Sequence, residues 1–123
     1  KEIYIYRDPD NLYRTTGAIN GFPVNFLVDT GASSVVINAQ QAERMGIKYK
    51  NKGTPIMVRT ASGVEKATSV RFDRVSISGV VLRSIDGIVL EGEEPSTPLL
   101  GMSYLSRFEI QNSGNIIKLI KKY

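Results

Sequence analysis

Short runs of apolar and β-branched residues alternate with polar turns along most of the chain, which predicts a domain made mainly of β-strands. The Asn20-Gly21 and Ser78-Gly79 dipeptides each separate two such runs, and they favour tight hairpin turns because their residues tolerate positive φ. Many short strands at regular spacing favour one closed barrel. The predicted strands cover residues 12–19, 22–28, 35–37, 54–60, 64–78, 80–90, 99–101 and 116–120.

One or two short helices are predicted between these strands. Asn38 is a typical N-cap for a helix over residues 39–45, and Gly46 is a typical helix stop. Residues 102–108 form the best remaining helical segment. The fold class predicted from the pattern is therefore mainly β.

Composition narrows the possible chemistry. A chain of 123 residues with 41% hydrophobic and 23% charged residues is typical of a single globular domain. The sequence has no Cys and no His, which excludes a thiolate nucleophile, a Ser-His-Asp triad and the usual zinc sites. An enzyme with this sequence must use carboxylates, hydroxyls, lysines or backbone amides.

The net charge of +4 is mild, and its bases are scattered except near the end of the chain. We expect Lys118, Lys121 and Lys122 to protect a solvated edge strand. A nucleic-acid interface is the alternative for a basic chain, but such binders interleave aromatic and basic residues on one face. No such face emerges from the sequence, so no nucleic-acid partner is expected.

Asp29 stands directly after an apolar run, where a carboxylate is costly unless it is paired, hydrogen-bonded or used. Thr30 and Gly31 follow, and Asp-Thr-Gly alone is explained by a tight turn. Gly31 is expected to let another backbone approach closely. Seventy residues later, Leu99-Leu100-Gly101 leads into the second predicted helix. The two features together are much more specific than either alone.

Apolar-apolar-Asp-Thr-Gly-Ala, a central hairpin, and apolar-apolar-Gly before a short helix resemble the retropepsin-like (retroviral-type) aspartic proteases. The resemblance extends over about residues 13–120 and suits a bacterial single-domain member. It implies a closed barrel over residues 1–123, with an N-terminal arm over residues 1–12 and a flap hairpin over residues 54–69. Leu99-Leu100-Gly101 would thread beside the active-site loop.

The resemblance also assigns roles to individual residues. Asp29, Thr30 and Gly31 would form the catalytic loop, with the partner carboxylate supplied by a second copy of the chain. No metal or cofactor is implied, and apolar side chains are expected on both sides of the cleaved bond. The substrate-binding residues implied are Ala32, Ser33, Val36, Ala61, Ser62, Gly63, Val64 and Leu99.

One departure from the retroviral pattern concerns the dimer. Retroviral members usually have Asp after Asp-Thr-Gly-Ala and Arg after apolar-apolar-Gly, whereas this chain has Ser33 and Met102. We therefore expect a weak homodimer. Residues 1–6 and 116–123 alternate apolar and polar positions, so we expect that they can interleave as a sheet across a two-fold axis.

The function expected from the resemblance is an aspartic endopeptidase that hydrolyses peptides or proteins as a homodimer. The alternative is a non-catalytic retropepsin-like module for dimerisation or peptide binding. Bacterial members often carry this domain behind membrane helices, so the soluble domain of a bacterial membrane-anchored protein is the expected setting.

Overall fold

The computed structural model describes residues 1–122, which form ten strands and three short helices. The mainly β fold predicted from the sequence is confirmed. None of the three helices is long and apolar enough to cross a membrane. In chain order the elements are β1 Glu2–Tyr6, β2 Arg14–Ile19, β3 Phe22–Val28, β4 Val35–Asn38, α1 Ala39–Arg44, α2 Tyr49–Lys52, β5 Thr54–Thr60, β6 Gly63–Ile77, β7 Val80–Leu90, β8 Leu99–Leu100, α3 Met102–Leu105, β9 Phe108–Asn112 and β10 Ile116–Lys121.

Six strands form the closed barrel. They pair in the order β2-β3-β8-β4-β7-β6, and the end of β6 pairs with β2 through Ile19 and Val75, which closes the ring. The interior is apolar, and burial of its side chains is the main stabilising term of the fold. The largest fully buried barrel side chains include Ile19, Phe26, Ile37, Phe72, Ile77, Ile85 and Leu100.

A hairpin extends from the barrel at residues 54–69, the segment predicted to be the flap. In it β5 pairs with the first half of β6, from Thr54 opposite Ser69 to Thr60 opposite Gly63. Ala61 and Ser62 form the turn at its tip, as the sequence predicted. Since β6 is 15 residues long, one strand carries both the hairpin and the barrel closure.

The two hairpin turns read from the sequence are confirmed. Asn20 and Gly21 have φ of 51° and 83°, and Ser78 and Gly79 have φ of 49° and 77°. Positive φ at both central residues gives the backbone twist that matches two paired strands. These turns set the register between β2 and β3 and between β6 and β7.

A separate three-stranded sheet has the order β1-β10-β9, and it corrects two expectations. The terminal segments pair with each other within one chain, with Glu2 opposite Ile120, instead of interleaving across a two-fold axis. Because β10 is central, it has no free edge, and Lys118 does not protect one. The Lys118 ammonium instead lies 3.5 Å from a carboxylate oxygen of Glu2. Tyr123 lies outside the described residues.

The helix predicted over residues 102–108 is shorter than expected. It ends at Leu105, and Phe108 begins β9, which the sequence did not predict. Phe108 is buried against Tyr104, with 5.3 Å between ring centroids. A short apolar run can be buried either in a helix or in a strand, so the periodicity of the sequence could not show where α3 ends and β9 begins. The short helix α2 was also missed, because Tyr49 is its single buried residue.

A buried polar network fixes the loop that follows β7. Asn38 caps α1 as predicted, accepting a hydrogen bond from the Gln41 amide, and the Gln41 side chain bonds back to the Asn38 amide. The Asn38 side chain also donates to the carbonyls of Glu93 and Pro95, at 2.8 and 3.1 Å. The Gln41 side chain donates to Pro95 and Ser96. These bonds satisfy loop carbonyls and anchor the loop to α1.

The strand β8 lies between β3 and β4, which places it beside the Asp29 loop, where the resemblance implied it would lie. Leu100 lies parallel to Val28 on one side, and Leu99 lies antiparallel to Val36 on the other. The connection from β3 to β4, residues 29–34, must therefore cross the end of β8. Gly101 lies directly beneath this loop, where an added Cβ would lie 2.0 Å from the Ser34 carbonyl oxygen and 2.8 Å from that of Ala32.

Replacing Gly101 with alanine should therefore lower the free energy of unfolding, by about 3 kcal/mol. The clash is with backbone atoms, which cannot rotate away as a side chain can. Urea unfolding of the variant and wild type measures the difference. Gly92→Ala is the control, because its nearest atom would be a flexible Glu65 carboxylate oxygen at 3.1 Å. Equal stabilities of Gly101→Ala and wild type would contradict the close approach.

Asn38→Ser should also destabilise the protein, by about 1–3 kcal/mol. Serine can still cap the helix, but its shorter side chain lacks the amide group that donates to the Glu93 and Pro95 carbonyls, so these carbonyls lose their bonds from a buried side chain. Thermal unfolding followed by circular dichroism measures the effect. Asn51→Ser is the matched control, because Asn51 is exposed. A variant with the stability of wild type would show that the network does not anchor the loop.

Candidate active site

Asp29 begins the loop between β3 and β4 and is held by the backbone around it. Its amide donates to the Leu100 carbonyl at 3.1 Å, and its carbonyl accepts from the Ala32 amide at 3.2 Å. Its carboxylate oxygen Oδ1 accepts a hydrogen bond of 2.9 Å from the Gly31 amide. The turn interpretation thus accounts for one carboxylate oxygen. The side chain remains half-buried at the surface of a cleft and is available to a ligand.

The neighbouring residues Thr30 and Gly31 are exposed. A Cβ added to Gly31 would lie 3.2 Å from Asp29 Oδ1 and would meet no other atom within 4 Å among the described residues. The expectation that another backbone packs closely against Gly31 is therefore not met within one chain. In this chain the close approach occurs at Gly101, on the inner side of the loop, while the outer side is open.

A cleft of about 940 Å³ lies between the Asp29 loop and the hairpin β5–β6. Asp29 and Gly31 border it, together with most of the residues predicted to bind substrate. Of the described residues that line the cleft, none is Gly63 or Val64, and Val64 is 57% exposed. The predicted residues that the cleft brings together are Ala32, Ser33, Val36, Ala61, Ser62 and Leu99.

Several cleft residues were missed by the sequence reasoning. Val58, Thr60 and Glu65 line the cleft from the hairpin, and they share one face of it because strand side chains alternate. This alternation was visible in the sequence and would have favoured Glu65 over Val64. Glu94 and Pro95 border the cleft from the loop after β7, a position that no periodic pattern encodes.

Thr30 faces away from the cleft, in a neighbouring open depression of about 440 Å³. Ser33 and Met102, which replace the retroviral Asp and Arg, line the same depression. Ser103 also lines it and joins α3 to the barrel, since its hydroxyl donates to the Asp86 carbonyl at 2.7 Å and accepts from the Val35 amide at 3.1 Å. The outer side of the loop over residues 29–34 is therefore an open, solvent-facing surface of mixed polar and apolar side chains.

Comparison with known sequences shows which proteins this chain resembles. Residues 15–107 match the model of a family described as "gag-polyprotein putative aspartyl protease". An uncharacterized protein in the cobV 5' region of Sinorhizobium sp is 31% identical over 110 residues, which is 89% of this chain. An uncharacterized protein of Rickettsia prowazekii (strain Madrid E) is 32% identical over 108 residues, or 88% of this chain. The chain spans 47% and 46% of these two relatives, about half their length.

Solved structures agree with the sequence comparison. A retropepsin-like aspartic protease from Rickettsia conorii superposes with a TM-score of 0.83 and 30% identity, covering 97% of this chain and 98% of that one. The EIAV protease in complex with the inhibitor HBY-793 is 24% identical, covers 76% of this chain and 84% of that one, and shares the fold with a TM-score of 0.58. The chain therefore belongs to the gag-polyprotein aspartyl protease family and has the retropepsin-like fold.

Proposed function

We propose that this protein is an aspartic endopeptidase whose active site is completed by a second copy of the chain. The observation that carries the proposal is the half-buried Asp29 carboxylate at the edge of a 940 Å³ cleft beneath a hairpin. A cleft of this size accommodates several residues of an extended peptide. Membership of the aspartyl protease family supports the same reaction.

The proposed chemistry needs two carboxylates and one water. Two Asp29 side chains held close together share one proton, because both cannot easily ionise at short range. The ionised carboxylate removes a proton from the water, whose oxygen attacks the peptide carbonyl carbon. The protonated carboxyl group hydrogen-bonds the carbonyl oxygen and stabilises its developing negative charge. Proton transfer to the amide nitrogen then allows the C–N bond to break.

One chain supplies half of this site. The 123-residue sequence contains a single Asp-Thr-Gly, which supports a second carboxylate from another copy of the chain. Thr30 would join the two loops across the dimer axis, and its exposed position on the outer side of the loop suits this role. The open space beside Gly31 would receive the partner loop.

The hairpin β5–β6 would act as the flap in this mechanism. Ala61 and Ser62 at its tip border the cleft, so a bound peptide would lie between them and Asp29. Closure of the hairpin would exclude bulk water and strengthen the electrostatic interactions around the reacting carbonyl.

Two features support a weak dimer. The terminal strand β10 already pairs with β1 on one side and β9 on the other, so it cannot also form a central strand with a second chain. Ser33 and Met102 replace the charged pair of the retroviral pattern, which removes a source of specific contacts near the loop. The proposed dimer must therefore rely on the catalytic loops and on strand edges that remain open.

Asp29→Asn should reduce peptide hydrolysis by about 1,000-fold or more while leaving the fold intact. Asparagine can still accept the Gly31 hydrogen bond but cannot act as the base or share the proton. The rate of cleavage of an unfolded protein substrate, followed by mass spectrometry, measures the loss. Asp73→Asn, an exposed aspartate outside the cleft, is the control. If the wild-type protein binds peptides but cleaves none of them, the result would instead favour the non-catalytic module.

Specific activity should rise with protein concentration between nanomolar and micromolar chain, because dilution separates a weak dimer into inactive halves. Joining two copies by a Gly/Ser linker should make specific activity independent of concentration, since the linker raises the effective concentration of the partner. A series of linker lengths avoids a linker too short to span the dimer. Flat specific activity of the single chain, with a dimer by sedimentation throughout, would contradict the weak dimer.

A further inference from the structure

The cleft is mostly apolar along its walls but carries charge at a few positions. Asp29, Arg59, Glu65 and Glu94 are the charged residues that line it. Asp29 has its role in the proposed reaction. Arg59 and Glu94 are exposed, whereas Glu65 is half-buried. A half-buried carboxylate in a binding cleft has a desolvation cost that a bound cation can offset.

The position of Glu65 is fixed by the hairpin. It lies opposite Val58 on the cleft-facing side of β6, and its oxygen Oε2 accepts a hydrogen bond of 2.9 Å from the Thr60 hydroxyl. The oxygen Oε1 lies 3.1 Å from the point where a Cβ on Gly92 would be, so the glycine leaves room for the carboxylate. The Glu65 carboxylate therefore lies in the lining of the cleft, beside the Thr60 hydroxyl and Gly92.

No cationic partner compensates this carboxylate within residues 1–122. The ion pairs found there join Arg14 to Asp8 and Asp10, Arg71 to Asp86, and Lys118 to Glu2. Arg59 is on the same hairpin, but its side chain makes no ion pair with Glu65. The donor that Glu65 does have is a neutral hydroxyl, which leaves its negative charge unbalanced.

The surroundings of Glu65 define what would bind there. Val36, Ile88, Leu90 and Leu99 form an apolar wall along the same cleft. A long aliphatic side chain that ends in a cation matches both features, because its stem can pack on the wall while its head reaches the carboxylate. Lysine and arginine have this structure.

We infer that Glu65 is a specificity-determining residue that selects peptides carrying lysine or arginine at one position near the cleaved bond. This inference rests on the proposed endopeptidase function for its kinetic consequence, and on the cleft geometry for binding. It adds one basic position to the apolar residues expected beside the cleaved bond.

Cleavage of a mixed peptide library by wild-type protein, read by mass spectrometry, identifies the position at which basic residues are enriched. Matched peptides with lysine or norleucine at that position then give the ratio of kcat/KM values. We expect a ratio of about 10 for wild type, the size of one charge-assisted hydrogen bond, and a ratio near 1 for Glu65→Gln. Glu65→Lys should reverse the preference toward a glutamate peptide.

Two further variants locate the effect. Glu43→Gln removes a carboxylate from α1 outside the cleft and should keep the lysine preference. Glu94→Gln removes the other glutamate that borders the cleft. A preference that persists in Glu65→Gln but is lost in Glu94→Gln would overturn the assignment, as would a wild type that cleaves with no basic preference.

A binding experiment separates this inference from the reaction itself. Fluorescence anisotropy with Asp29→Asn protein measures peptide affinities without hydrolysis. The probes are a set of labelled apolar peptides that carry lysine or norleucine at each position in turn, so their design does not depend on cleavage. About tenfold tighter binding of the lysine peptide, lost in the Asp29→Asn/Glu65→Gln double variant, supports the role of Glu65 even if wild type cleaves no peptide. Equal affinities for the lysine and norleucine peptides would overturn it.

Discussion

The close contact between the Asp29 loop and the strand threaded beneath it is the constraint on which the site depends. The Asp29 amide donates to the Leu100 carbonyl, and the Met102 amide donates to the Ala32 carbonyl at 2.8 Å. The loop is therefore attached to the two residues that flank Gly101. Only glycine fits at position 101, because a Cβ there would lie 2.0 Å from a carbonyl oxygen. The position of the Asp29 carboxylate is therefore set by backbone hydrogen bonds.

The rest of the cleft differs in how firmly it is held. The loop after β7 is anchored by Asn38 and Gln41, two buried side chains that satisfy its carbonyls. The hairpin is attached through one of its strands: β5 pairs with β6 alone, whereas residues 67–69 of β6 pair with β7 and the Lys66 carbonyl accepts a hydrogen bond of 3.3 Å from the Glu91 amide. A hairpin held along one strand suits the proposed flap, since β5 and the tip can move without disrupting the barrel.

Local signals in the sequence predicted what local geometry determines. Asn20-Gly21 sets a turn, Asn38 caps a helix, and Asp-Thr-Gly after an apolar run marks the loop that carries the carboxylate. Features that depend on long-range pairing were beyond such signals. Phe108, the first residue of β9, was predicted to end a helix, and β1 pairs with a strand more than 100 residues away. The cleft residues show the same limit. Alternation along β6 would have favoured Glu65 over the predicted Val64, whereas no pattern in the sequence places Glu94 at the cleft.

The pairing of the two termini within one chain has a consequence for assembly. A strand that interleaves with a partner contributes its hydrogen bonds to the dimer, whereas β10 contributes both edges to its own subunit. The single chain thus gains stability that does not depend on the partner, and the proposed dimer loses a large part of the contact that would hold it. In the proposed enzyme, folding and assembly would then be separate equilibria, so at low concentration each domain would be folded but would carry only half of an active site. Activity would then depend on whatever brings two Asp29 loops together.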